Sequence, residues 1–561
     1  MGDTRRSKAV HRYHARSTHA PGRFAPGPGH LDWANQPEPF RIWEGAPLVE
    51  LPLAGDDLTA TWTDLHRPGN VTPRPLDRAT LGAFLELSLG LTAWKEAGGS
   101  RWALRANPSS GNLHPTEGYA LVPPLPGVAC GVYHYRSRDH VLERRLTSSK
   151  GAAARLVECL PEGGFLVGLS SIHWREAWKY GERAFRYCQH DVGHALASIR
   201  YAAAVLGWSA RLLDAPGDSD VAILLGLDRP PAHEGLDAAD REHPDALVLV
   251  APPHVIEEGR RSFGDALDEL TRRAGEGEWA GRPNSLSPEH RRWPEIDAAV
   301  EATAKPRTSG DADQSAGALE AVFPEGEPEA GEATPATRFI RQRRSAVAMD
   351  GQTSVSSAAF FGMMERLLPR PGVPPWDVLP WTPRVHPVLF VHRVEGLGPG
   401  LYLLERDDGV HGTLERSLRR NLLWEQVAGS PDGLHLFLLE EGDARAFARL
   451  ASCQQAIASD SAFSLGMLSV FENSLAEGPW WYRRLFWESG VLGQVLYMEA
   501  EVHGVRGTGI GCYFDDVVHE LLGLEGERIR DLYHFTVGGA VEDPRLATRP
   551  AYVQTVRSRP R

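Results

Sequence analysis

Between Arg105 and Glu117 the chain reads RANPSSGNLHPTE. Two prolines and a glycine forbid a regular helix across it. Pro108, Ser109, Ser110, Asn112, His114 and Glu117 therefore fall on a short loop of defined conformation, which offers hydroxyl, amide and backbone donors to a polar ligand. The same composition also fits a surface turn. A second cluster, Arg341-Gln342-Arg343-Arg344-Ser345, sets guanidinium forks beside a hydroxyl. That chemistry suits a phosphate, or simply a solvated basic turn. Third, Lys179-Tyr180 in WKYGERAFRY pairs an amine with a phenol. Either group is a general base or acid once burial or a neighbouring charge moves its pKa toward neutrality. The bland alternative is the start of an amphipathic helix with an exposed Lys and a half-buried Tyr. His190-Asp191-Val192-Gly193-His194 places two histidines at i and i+4, as in zinc hydrolases. Its acid is Asp rather than Glu, a third ligand is not apparent, and Gly193 suits helix packing, so no metal is expected.

The elements that must position these residues read as α+β rather than a βαβ repeat. Thr80 to Trp94 sets Leu81, Phe84, Leu85 and Leu89 at helical spacing. Glu182 to Leu206 is the longest helix candidate, rich in small residues suited to close packing. Tyr119–Pro123, Gly131–Tyr135 and Phe165–Leu169 read as short buried strands. From about residue 301 to 337 the chain is rich in Ala, Glu, Gly, Pro and Ser and poor in aromatics, the composition of a linker. It separates residues 1–300 from residues 338–561. The two parts echo one another in order: Gly193 with Gly493 and Gly207 with Gly507, both at a shift of 300, then Leu-Leu-Gly-Leu at 224 and at 521. Ala246–Pro252 and Tyr533–Gly539 then follow as strand-like segments. An ordered series of this kind indicates duplication.

The net charge of −13 and a pI near 5.9 argue against a nucleic-acid partner, which needs a clustered basic surface. No run approaches the roughly 18 apolar residues of a membrane span, and no apolar stretch follows the basic N-terminus, so neither a membrane helix nor a signal peptide is expected. Five cysteines, an odd number without a C-x-x-C pair, point to a reducing, cytoplasmic setting and to thiols acting mostly as small buried apolar groups. The tryptophans at 376, 381, 480, 481 and 487 fit core packing better than a ligand cavity.

PSSGNLHPTE resembles the flavin-contacting loop of nitroreductase-like flavoproteins, and most closely the SagB-type dehydrogenases, which include azoline oxidases of peptide natural-product pathways. HRYHARSTH (11–19), GPGHLDWANQPEPFRIWEGAP (27–47), WKYGERAFRY (178–187) and EDPRLATRPAY (542–552) carry the same resemblance. It covers the first half nearly end to end and the second in patches. It implies two tandem nitroreductase-like domains forming an intrachain pseudo-dimer, as a monomer or paired again as a homodimer, with FMN at the seam. By the same resemblance, Pro108, Ser109, Ser110 and Asn112 from the first half would meet Arg343, Arg344, Ser345, Gly509 and Gly511 from the second. The first half offers only Arg16-Ser17 as a phosphate clamp. The second offers only Trp381–Pro387 as a loop, without the Ser and Asn donors, so one FMN per chain is expected. Lys179 and Tyr180 would be catalytic, and the second half carries Trp481-Tyr482 in their place. Arg545 and Arg549 are weaker phosphate or substrate candidates. The implied activity is dehydrogenation of a small-molecule or peptide substrate, azoline-bearing peptides among them. An NAD(P)H-dependent nitroreductase or quinone reductase and a non-catalytic flavin-binding scaffold are the alternatives.

Overall fold

The computed structural model describes residues 2–147, 159–258, 263–309 and 334–552. Two seven-stranded antiparallel sheets dominate it. The first runs in the order Ser209–Leu212, His243–Ala251, Phe165–Ser171, Thr116–Val122, Gly131–Arg136, Val141–Arg144, Leu48–Glu50. The second runs Arg506–Ile510, Ile529–Gly538, Phe463–Val470, Val385–Val391, Gly400–Leu404, Leu436–Glu441, Glu425–Gln426. Six positions correspond one to one. Only the seventh differs, supplied by a local hairpin in the second half and by the N-terminal region in the first. The halves are thus two copies of one α+β unit.

Each sheet packs on a long buried helix of 22 residues, Ala184–Val205 in the first half and Trp481–Val502 in the second. The two helices cross tightly, and the crossing fixes the internal register. A Cβ on Gly193 would lie 2.1 Å from the Trp487 carbonyl oxygen and 2.8 Å from Gly490 Cα, and a Cβ on Gly490 would lie 2.2 Å from the His190 oxygen. Backbone meets backbone there, so only glycine fits on either side. Ala184 to Trp481 is a shift of 297 residues, and the same shift carries Gly193 to Gly490. The expected match of Gly193 with Gly493 is therefore one helical turn out, an error that period-3.6 patterning invites because both glycines share a face. Gly207 likewise matches Gly504, both left-handed at φ +72° and +71°, while Gly507 lies on a strand. The Leu-Leu-Gly-Leu repeats obey the 297 shift. They close the helices Asp218–Leu225 and Asp515–Leu522 with left-handed Gly226 and Gly523 caps.

The expected helix over Thr80–Trp94 stops earlier. It spans Arg78–Ser88, with Asp77 capping its first turn, and Leu91–Ala97 is a strand. Gly90 allows the change of direction: a Cβ there would lie 2.5 Å from the Glu86 carbonyl oxygen. The helix expected from Glu182 begins as a short 3-10 turn, Gly181–Arg183, before Ala184. The expected strands are present as Thr116–Val122, Gly131–Arg136 and Phe165–Ser171.

The N-terminal region reaches the second half, where the His19 N–H donates to Asp515 at 2.8 Å and His14 meets Phe471 and Tyr482, and the C-terminal strand reaches the first. The helix Gly2–Arg16 packs on Pro294–Thr303, and the strand Ala547–Arg549 pairs with Leu91–Ala97 of the first half. Pro294–Thr303 and Ala336–Gln342 occupy the two ends of the expected linker, whose residues 310–333 lie outside the described residues.

Candidate active site at the seam of the two halves

A slot of about 550 Å³ opens between the halves, lined on one side by Pro108, Ser109, Ser110 and Asn112 and on the other by Arg343, Arg344, Ser345 and Gly509. The first wall is a tight turn in which Gly111, Asn112 and His114 all have positive φ (62°, 56° and 53°). Local hydrogen bonds hold it: the His114 N–H donates to Ser109 Oγ at 2.8 Å, and His114 Nε2 donates to the Ala103 carbonyl at 3.0 Å. Burial pushes His114 well below the usual histidine range, so it stays neutral. Behind the turn, Arg175 donates to the His114 carbonyl at 2.7 Å and to Glu117 Oε1, and His134 bridges Glu117 and Glu143. These polar groups are buried but paired, which fixes the turn rather than destabilising it.

Ser345 follows the helix Ala336–Gln342 and Gly509 lies on the strand Arg506–Ile510, so the second wall has two sources. Arg341 turns away from the slot, ion-paired to Glu86 and Asp56. Arg343 is buried, donates once to the Arg105 carbonyl at 3.1 Å, and keeps its Nε without a partner. Arg344 donates to the carbonyls of Arg341 and Arg343 and to Thr92 Oγ1. Burial and the neighbouring Arg343 draw Arg344 down to about 10. A buried guanidinium with an open N–H and no carboxylate on it receives an anion well. Ser345 Oγ and Tyr497 OH lie 2.8 Å apart, and the Gly509 N–H donates to the same phenol at 2.9 Å. Gly509 has to be glycine: a Cβ would stand 1.9 Å from Tyr533 OH. Gly511 does not line the slot. It lies against the Tyr187 ring beyond it.

Lys179 and Tyr180 end the helix His173–Tyr180 and approach the turn from behind. A Cβ on Gly111 would lie 2.8 Å from both Lys179 Nζ and Tyr180 OH. Burial, reinforced by Glu176, pushes the Tyr180 phenol well above its usual range. It therefore stays protonated near neutral pH.

Two carboxyls in this region escaped sequence reasoning. Asp191 lines the slot, and Glu176 accepts from Ser109 Oγ at 3.3 Å. The sequence presents Asp191 only as the acid between two histidines. The signal available was Glu176 one turn before Lys179-Tyr180, on the same helix face. The histidines themselves diverge: His190 stacks on Tyr533 and meets the Leu532 carbonyl, and His194 faces Gln494 and Tyr533. No group of three or more metal-ligating side chains is assembled among the described residues.

The reciprocal position is filled. Arg200 stands where Tyr497 stands in the slot and makes a bidentate pair with Asp377 (2.7 and 2.8 Å). Leu212 replaces Gly509, and Trp381 packs edge-on against Trp481. Trp481-Tyr482 opens the second long helix and matches Ala184-Phe185, so it is not the counterpart of Lys179-Tyr180. Arg16-Ser17 is not a clamp either. Arg16 pairs with Glu182, and Ser17 accepts from Arg186. The element that precedes the Arg78–Ser88 helix, as Ala336–Gln342 precedes Ser357–Arg366, is Trp62–Leu65. None of the five tryptophans lines the slot; Trp376, Trp381 and Trp487 donate to Arg366, Glu488 and Gln189. Neither Arg545 nor Arg549 lines the slot: Arg545 pairs with Asp543 on its border and Arg549 with Glu96. The thiols are not uniformly inert core: Cys188 is buried, but Cys453 and Cys512 are half-buried with sulfurs 2.9 Å apart.

No family model matches the chain. A 112-residue stretch, 18% of the chain, is 35% identical to the trifolitoxin-processing protein TfxB of Rhizobium leguminosarum bv. trifolii. An alignment of 128 residues, 22% of the chain, is 29% identical to a protein of Methanocaldococcus jannaschii named as a nitroreductase candidate. The chain spans 30% and 65% of the length of these curated relatives. A crystal structure of a nitroreductase candidate from Anabaena variabilis superposes with a TM-score of 0.65 at 21% identity, over 95% of this chain and 99% of that one. The chain therefore shares the fold of that structure, with two copies of one α+β unit in a single polypeptide.

Proposed function

We propose that the protein is an FMN-dependent oxidoreductase that holds one FMN per chain in the seam slot. The observation that carries this reading is the pairing, across one slot, of a buried Arg343 with an open N–H and a rigid turn of Pro108, Ser109, Ser110 and Asn112 on the opposite wall. Arg343, Arg344 and Ser345 hold the phosphate, and the turn with Gly509 confines the ring. Bound FMN supplies a two-electron acceptor. The chain's own residues would orient the substrate, exclude water between two walls and carry away the proton that the substrate loses, with Lys179 and Tyr180 beside the turn as proton-transfer groups.

The direction of reaction is dehydrogenation, and the substrate class is a peptide bearing azoline rings. The stretch shared with a trifolitoxin-processing protein supports this, as do the SagB-type motifs on the turn. Reconstitution with FMN tests the first part. A stoichiometry near one is expected, and a value near two, or none, overturns it. Stopped-flow mixing with NAD(P)H tests the second. Inertness is expected, and fast bleaching of the flavin would make the protein a reductase.

A further inference from the structure

The 297-residue register pairs Asp191 on the first long helix with Glu488 on the second, and the two acids have opposite surroundings. Glu488 is saturated: it accepts from Arg406 at 2.6 Å, from the N–H groups of Arg384 and Val385, and from the Trp381 indole. Asp191 is 2% exposed and borders the slot, and its Oδ2 has no partner. Its contacts are the Ser109 side chain and the Ser110 N–H. Glu176, fully buried, meets the same Ser109 hydroxyl at 3.3 Å and leaves Oε2 unpartnered. Two carboxyls thus share one serine in a water-poor pocket, with no ion pair formed by either among the described residues. Two ionised carboxylates so placed repel strongly.

We propose that Asp191 and Glu176 hold one proton between them through Ser109 Oγ and that this pair is the proton store of the slot. Ser109 has the valence for it: it accepts from the His114 N–H and from one protonated carboxyl, and donates to the other carboxylate. With the proton on Glu176, Asp191 is a carboxylate at the border of the slot. In the dehydrogenation inferred above, on which this role rests, an X–H bond of the substrate breaks and its proton forms an O–H bond on Asp191. The electron pair left behind closes the new double bond, and the hydride leaving the neighbouring carbon needs a two-electron acceptor, which bound FMN would supply. The groups facing the pair are Lys179 and Tyr180 on the helix of Glu176, Arg105 beside Asp191, and Cys188, Tyr187 and Tyr533 around them. Burial pushes both carboxyls up, Glu176 also by the charge of Asp191, against the opposing pull of Lys179 and Arg105.

Infrared titration of the full-length protein, with and without FMN, from about pH 6 to about pH 10 tests this. A protonated-carboxyl band is expected near neutrality. Because Asp245, buried on the other side of the same helix, is itself pushed up to about 7, the band must survive in Asp245→Asn. It should shift its titration to lower pH in both Asp191→Asn and Glu176→Gln, since removing one carboxyl relieves the other. A band indifferent to both substitutions overturns the shared proton. If either variant misfolds, separate carbon-13 glutamate and carbon-13 aspartate labelling of the wild type identifies the band directly, and a band that moves with neither label, or is blind to pH, overturns it. The absorption of bound FMN should follow the same titration in the wild type and not in Asp191→Asn. A bound flavin blind to that titration removes the pair from the slot chemistry. Failure of FMN to bind while the carboxyl band behaves as described supports the shared proton and sinks the flavin reading instead.

Discussion

At the scale of single residues, the slot separates groups that share a charge but not a surrounding. Arg341, Arg343 and Arg344 are near neighbours in sequence, yet Arg341 is neutralised by Glu86 and Asp56 and only Arg343 is buried with an open N–H. Arg343→Ala should therefore weaken FMN binding by about 10- to 100-fold, the range of a charge-assisted hydrogen bond. Arg341→Ala should change it little, and fluorescence titration of apoprotein with FMN measures both. Tyr180→Phe keeps the ring and removes the proton. It should leave FMN affinity intact and lower turnover of an azoline peptide by about 10²-fold. Equal turnover in single-turnover assays would remove Tyr180 from the chemistry.

At the scale of elements, the helix crossing and the buried network under the turn are the two sensitive points. Gly193→Ala forces a methyl group into backbone of the facing helix, so it should destabilise by about 1–3 kcal/mol or more. Gly504→Ala meets open space and costs only the left-handed strain. Denaturant midpoints compare them. His134 lies between Glu117 and Glu143 and is pushed up to about 9 by hydrogen bonds and charge that outweigh its burial. Its contribution to stability is fully present below the ordinary histidine pKa of about 6.5 and is lost as pH rises through about 9. Thermal unfolding should therefore weaken over that alkaline interval in the wild type, and His134→Gln should flatten the slope.

At the scale of the whole molecule, the duplication has become asymmetric by filling one of two equivalent positions. Arg200 with Asp377 and Leu212 occupy the place that Tyr497 and Gly509 leave open in the slot. The C-terminal strand ties the halves together across this side: Ala547–Arg549 pairs with Leu91–Ala97, and Tyr552 OH accepts from the Leu91 N–H and donates to the Ser137 carbonyl, both at 2.8 Å. Leu546 and Thr548 border the slot on the way. Truncation after Glu542 should loosen FMN by roughly tenfold while leaving circular dichroism nearly unchanged. FMN release measured after dilution checks it.

The α+β character and the duplication were legible from sequence, and the turn and the arginine cluster stood out locally, but their meeting in one slot was only what the family resemblance implied. Proline and glycine define the turn, arginines the clamp, and alternating apolar residues the strands. The register of the duplication was not legible, since glycines one turn apart on a helix look alike until a facing backbone selects one of them. Nor was the pairing of Glu176 with Asp191, whose fifteen-residue separation spans a helix, a left-handed glycine and a second helix. Only tertiary structure decides which buried carboxyl finds an arginine, as Glu488 does, and which faces the slot without one, because burial and partnership are set by what the rest of the chain packs against.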